Sequence, residues 1–153
     1  MTHPAPPRTY EELERYLPYL VNRLATLGQA TQNRLLADSS NNLVTLRTLS
    51  ILRIENGLTI NEIAARTFTE QSSTSRAVEA MVSQGLVERR TPPHDQRRRE
   101  VILTEKGHQQ LADGWPAMDY YFEAVGKGIS AEERDQCRAI LLRMLENLND
   151  LNR

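Results

Sequence analysis

The sequence predicts a mainly α-helical chain carrying one small β-hairpin, and three observations predict it. Apolar residues recur three and four apart in long stretches at both ends of the 153 residues. Ser or Thr followed three places later by Glu, the capping-box spacing that satisfies free amides at a helix start, occurs at Thr9–Glu12, Thr59–Glu62 and Ser130–Glu133. Strand character is confined to 86–90 and 99–103, on either side of the turn Pro92-Pro93-His94-Asp95.

Residues 1–9, with Pro4, Pro6 and Pro7, read as an extended or disordered arm. A helix opens near Tyr10, and its apolar seam is Tyr10, Leu13, Leu17, Leu20, Leu24 and Leu27. Pro18 lacks an amide proton and is expected to kink this helix or to start a second one. The run 38–42 is a turn, with Asn41 or Asn42 capping a helix over about 43–55 that carries Leu43, Leu46, Leu49, Ile51 and Leu52. A short helix from Thr59 runs through Ala65, and Thr69 can cap another running to about Ser83, with Val78, Met81 and Val82 facing inward. Gly85 is placed to end that helix in a left-handed conformation. The hairpin follows. A helix from Thr104 then carries His108, Leu111, Trp115, Met118, Phe122 and Val125, and Pro116 is expected to bend it. The last helix opens at Ser130 and has the seam Cys137, Leu141, Met144, Leu148 and Leu151.

Composition excludes several classes. Nineteen Lys and Arg stand against 20 Asp and Glu, so total charge gives no argument for nucleic acid, and any such argument must be local. No start resembling a signal peptide and no run of roughly 18 apolar residues is present. The lone Cys137 leaves no internal disulfide and fits a reducing, cytoplasmic setting. His3, His94 and His108 are scattered without metal-ligand spacing, and neither a metal nor a cofactor is expected. With no GxSxG, phosphate-binding glycine loop or paired-histidine motif, an enzyme is not expected either.

The functional signal lies in 59–104, where two short helices joined by a tight turn precede the hairpin in the order of a winged helix-turn-helix. The outward face of the second helix offers Gln71, Ser72, Ser75 and Arg76, short or hydrogen-bonding side chains suited to base edges and phosphate oxygens. Alone, they could equally be a polar solvent face. From Arg89 to Arg99 there are five arginines and one aspartate, a local charge of +4 in a chain of −1. Arg89 and Arg98 are candidates to straddle a phosphate backbone, and an arginine at the tip can enter the minor groove. A solvated charge run is the competing account.

Asp95-Gln96-Arg97-Arg98-Arg99-Glu100-Val101-Ile102-Leu103-Thr104-Glu105-Lys106-Gly107 resembles the wing signature of the MarR family of transcriptional regulators, matching Asp, Arg, Leu-Thr and Gly at every fixed position. Gly85-Leu86-Val87-Glu88-Arg89 and Thr74-Ser75-Arg76 resemble segments of the same family, and with the helix order the likeness runs from about 10 to 151. The resemblance implies that Arg97 probes the minor groove, with Asp95 holding that guanidinium or the turn backbone. Leu103, Thr104 and Gly107 are structural. It further implies a homodimer reading a pseudo-palindromic duplex, built as an arm over 1–9, dimerisation helices over 10–36 and 105–153, and a DNA-binding lobe over 37–104. A small anionic or aromatic effector would bind between dimerisation helices and lobe and release a repressor from DNA, with Tyr16, Tyr19, Arg23 and Arg47 as candidates. On the seam of the last helix, Cys137 reads as an inert small hydrophobe rather than a redox sensor. The alternative function is a winged-helix protein-interaction module that never touches DNA.

Overall fold

The computed structural model describes residues 5–37 and 41–151. Along the chain lie α1 (Tyr10–Glu14), α2 (Leu17–Leu36), α3 (Leu43–Ile54), α4 (Ile60–Thr67), α5 (Gln71–Ser83), β1 (Val87–Arg90), β2 (Glu100–Leu103), α6 (Glu105–Val125) and α7 (Ala131–Leu151). They form two compact units, residues 1–118 and 119–153. The start of the arm, residues 1–4, and residues 38–40 of the turn expected at 38–42 lie outside the described residues.

Helix starts follow local chemistry. Thr9 accepts the Glu12 amide at 3.2 Å, but the Glu12 carboxylate reaches back to the Arg8 amide rather than to Thr9. Pro18 sits at the first turn of α2, where no amide proton is needed, so of the two outcomes expected of it the structure shows the second, a new helix. Asn42 caps α3 through the Thr45 amide at 2.8 Å. The boxes Thr59–Glu62 and Ser130–Glu133 both close reciprocally. One cap departs from expectation. The N-cap of α5 is Glu70, not Thr69, because the turn after α4 places the Glu70 carboxylate on the Ser72 amide.

The core of the first unit joins Leu36, Leu43, Leu46, Leu49 and Leu52 to Ile63, Val78, Met81, Val87, Val101, Leu111 and Met118, all buried. On α5, Val78 and Met81 are fully buried, Val82 is half-buried, and Thr74 adds a buried position one turn earlier. The strands pair antiparallel with Val87 opposite Leu103 and Arg90 opposite Glu100. Leu58 adds a bridge on the far side of β2, accepting the Val101 amide at 2.8 Å.

The junction between α5 and α6 is fixed by a close approach. A Cβ on Gly107 would lie 2.2 Å from the Leu86 carbonyl oxygen, so only glycine lets the first turn of α6 rest on the chain leaving α5. Thr104 completes the splice. Its hydroxyl donates to the Gly85 or Leu86 carbonyl (2.7 and 2.9 Å) and accepts the Gly107 amide at 3.1 Å. Gly85, at φ +72°, supplies the left-handed turn that brings these carbonyls round.

In the second unit α7 has no buried residue, and Ile140, Leu141, Leu142, Met144, Leu145 and Leu148 are each 41–54 % exposed. Cys137 is exposed as well. On α2, Leu17, Leu20, Val21, Leu24 and Leu27 are likewise exposed, as are Trp115, Phe122 and Val125 of the seam read on α6. Such apolar rows are far larger than isolated surface hydrophobes and mark faces left exposed among the described residues. Among the described residues no helix is long and apolar enough to cross a membrane.

Phe68 ends α4 in the left-handed region at φ 53°, with 93 % of its surface exposed. A side chain there costs about 1–2 kcal/mol relative to the right-handed well, and an exposed ring recovers little of it by burial. Phe68→Gly is expected to stabilise the protein by roughly 0.5–1 kcal/mol, after allowing for the greater freedom of glycine in the unfolded chain. Chemical denaturation midpoints at unchanged m-value check this, and a lower midpoint for the variant contradicts it.

Candidate nucleic-acid interface

The elements expected to meet DNA are α4, α5 and the hairpin. Glu62 closes the first turn of α4, Glu70 the first turn of α5, and the ladder of β1 and β2 springs from the end of α5. Between α5 and the hairpin lies an open cavity of about 550 Å³, lined by Ser75, Arg89, Arg90 and Arg99 over a floor of Ile60 and Val101. A groove with three guanidinium groups and a hydroxyl at its walls is suited to an anion such as a phosphate.

The sequence-selected residues fall into three groups. Gln71 and Arg76 are exposed on α5, Arg76 donating to the Ser73 hydroxyl at 3.4 Å, and Ser75 opens into the cavity. Ser72 is engaged: its amide and hydroxyl both donate to Glu70, which holds that carboxyl below the usual carboxylate range. Asp95 holds the turn backbone, accepting the Arg97 amide at 3.0 Å and the Arg98 amide at 3.3 Å. Of the two roles open to it, this is the backbone one.

The wing arginines are paired far more than composition implies. Arg89 donates to Glu79 of α5 at 2.6 Å, and Arg90 to Glu100 at 3.1 Å. Arg99 turns back on the tip, donating to the carbonyls of Gln96 and Arg98 at 2.6 and 3.1 Å. Arg98 departs furthest from the expected phosphate contact. Its NH1 and NH2 donate to the two carboxylate oxygens of Glu62 at 3.2 and 2.9 Å, NH2 also to the Gly57 carbonyl at 3.1 Å, and Nε to Glu100 at 3.2 Å. Arg97 is exposed, and among the described residues its guanidinium meets no hydrogen-bond or ion-pair partner. Counting Glu62, Glu79 and Glu100 with the +4 of 89–99 leaves +1.

These three carboxylates are the residues that reading the sequence missed. Glu62 was legible only as a helix cap. Glu79 lies four residues after Ser75 and so shares its helix face, a spacing that could have flagged it. Glu100 lies only two residues from Arg98, whereas nothing local marks Glu62 as its partner, since that pairing spans 36 residues.

The candidate effector residues are not brought together. Arg47 lines a cavity of about 270 Å³ with Gln29, Val44, Phe68, Thr69 and Glu70. Tyr16, Tyr19 and Arg23 lie outside it, and Arg23 pairs with Glu14 at 3.4 Å. No group of three His, Cys, Asp or Glu able to hold a metal occurs among the described residues.

This is the geometry of a winged helix-turn-helix protein, and comparison with known proteins specifies which. The MarR-family sequence profile matches residues 42–98. A MarR-family transcriptional regulator from Silicibacter pomeroyi is 32 % identical with TM-score 0.84, over 96 % of this chain and 99 % of its own. A second MarR-family structure from that organism is 33 % identical with TM-score 0.78, over 92 % and 96 % of the two chains. An uncharacterised HTH-type transcriptional regulator of Bacillus subtilis, YdgJ, is 24 % identical over 69 % of this chain. The match spans 65 % of the length of that curated relative and 52 % of Escherichia coli MprA. The chain belongs to the MarR family of transcriptional regulators. That is a family of regulators and not of enzymes.

The Glu62 carboxyl is held at about 2, chiefly by the Thr59 amide and further by the Arg98 guanidinium, against 4.5 for an ordinary glutamate. A folded-state value depressed in this way contributes stability that is full above about pH 4.5 and lost as pH falls toward about 2. Glu62→Gln removes the charge but can still cap the helix. The melting temperature of the variant is therefore expected to lie below wild type at neutral pH and to converge on it over that acid window. A gap that stays constant with pH contradicts the assignment.

Proposed function

We propose that this chain is a sequence-specific regulator that binds double-stranded DNA as a homodimer in the cytoplasm, a repressor released by a small anionic or aromatic effector. The observation that carries the reading is the groove of arginines shared by α5 and the wing, with Arg97 exposed at the hairpin tip and without a partner among the described residues. With α5 in the major groove, Gln71, Ser75 and Arg76 face base edges and phosphates, and Arg97 reaches the adjacent minor groove. Arg89 and Arg90 exchange their carboxylate partners for phosphate oxygens. Asp95 serves the interface by shaping the turn.

Relatives support the same chemistry in their own proteins. MepR of Staphylococcus aureus is solved as a complex with DNA, and MprA is named a transcriptional repressor. BpsR of Bordetella bronchiseptica is regulated in DNA binding by 6-hydroxynicotinic acid, and CouR of Rhodococcus jostii is bound to p-coumaroyl-CoA. For this chain, the cavity beside Arg47 offers a cation and the Phe68 ring to an aromatic anion. The unpartnered apolar rows of α2 and α7 are the surfaces a second copy covers, which sets two α5 helices on half-sites roughly one helical turn apart.

The test begins with duplexes selected from a random-sequence pool by the full chain. Binding of the selected duplex should weaken steeply between 50 and 200 mM salt, on the order of a thousandfold or more if six or more phosphates are neutralised per dimer. Arg97→Ala is expected to lower affinity about tenfold or more, with a dimer of unchanged size in solution. A flat salt response, or full affinity without Arg97, contradicts the reading.

A further inference from the structure

We propose that Glu62 and Arg98 form a positioning lock that sets the angle of the wing, so that Arg97 meets the minor groove only while Arg98 is held. The proposal rests on the DNA-binding reading above and assigns that site two residues which need not touch DNA.

The ladder ends at the pair Arg90–Glu100, so residues 91–99 have no strand partner to orient them. Within that tip the polar contacts are internal: Asp95 gathers the amides of Arg97 and Arg98, Gln96 donates to the Pro93 carbonyl at 3.4 Å, and Arg99 closes on Gln96 and Arg98. Such a tip is a small rigid body hinged at the strand ends. Among the described residues, the side-chain hydrogen bonds that fasten it to the rest of the chain are those of Arg98. They reach α4 at Glu62, the loop before α4 at Gly57, and β2 at Glu100.

Geometry distinguishes this arrangement from a loose surface pair. The contact to Glu62 is two-pronged, planar guanidinium to carboxylate, which fixes orientation as well as distance. Glu62 is itself immobilised, since one carboxylate oxygen accepts the Thr59 amide at 2.7 Å and the Thr59 hydroxyl at 2.9 Å. Glu100 has only 12 % of its side chain exposed and takes Arg98 on one oxygen and Arg90 on the other. Arg97 is the next residue along, its amide on the same Asp95 oxygen as that of Arg98, so fixing Arg98 aims Arg97.

The sign of one substitution separates a lock from a simple charge. A carboxylate near DNA repels it, so removing the Glu62 charge should strengthen binding if charge is all that matters. The lock requires the opposite. The duplex selected by wild type is titrated with the full chain carrying Glu62→Gln, which keeps the helix cap, or Arg98→Lys, which keeps the positive charge but loses the fork. Both are expected to bind on the order of tenfold more weakly, with dimer size unchanged. Hydroxyl-radical protection of the minor groove at the wing should be lost, while methylation protection of major-groove guanines under α5 persists.

Unchanged or tighter binding by Glu62→Gln overturns the lock, as does loss of both protections together. Should that variant not fold, Glu100→Gln carries the same expectation without touching the Thr59 cap. A wild-type chain that selects no duplex overturns the DNA-binding reading itself, and the lock with it.

Discussion

The guanidinium of Arg98 is the constraint on which the arrangement of the reading surface depends. It joins the tip of the hairpin to residues 36 and 41 positions away, at the start of the helix-turn-helix. About a third of its side chain is exposed, as is about a third of that of Glu62. The pair is therefore a modest source of stability, since solvent screens it and ordering two side chains costs entropy. Its consequence is geometric. A two-stranded ribbon is marginal alone and twists freely, and this one has the added bridge at Leu58 below and the Arg98 fork above.

The same pairing changes what the wing presents electrostatically. Read as composition, the hairpin is a dense positive patch in a chain of net charge −1. Read as structure, Glu62, Glu79 and Glu100 neutralise most of it and, among the described residues, leave Arg97 as the wing guanidinium without a partner. A field weakened in this way attracts any polyanion less than the composition of the hairpin suggests.

At its other end α5 is tied to α6. Thr104 and Gly107 bring the first turn of α6 onto the Leu86 carbonyl, and Lys106 Nζ reaches the Gln84 carbonyl at 2.7 Å. The contact leaves no room for a Cβ, so movement at the start of α6 carries the end of α5 with it.

Much of this was written locally. Thr9, Asn42, Thr59 and Ser130 announce helix starts, because a cap needs only a side chain within three residues of the amide it serves. Gly85 announces the exit from α5 for a similarly local reason, a positive φ, whereas the need for Gly107 comes from its approach to Leu86, 21 residues earlier. The two-residue choice between Thr69 and Glu70 as cap was beyond such reading, since both side chains can accept an amide and the left-handed Phe68 decides which one does. Which carboxylate each wing arginine takes was also beyond it: Glu79 shares a helix face with Ser75 and Glu100 lies two residues from Arg98, but neither spacing says which guanidinium it meets. Five arginines in sequence carry five equal charges, and only the tertiary fold brings carboxylates from α4, α5 and β2 within hydrogen-bond distance of some and not of others. The sequence alone thus determined the helices, the hairpin and the family. Which guanidinium stays free to meet a ligand was decided by contacts between residues distant in the chain, because local spacing carries no information about what a long side chain will find across a fold.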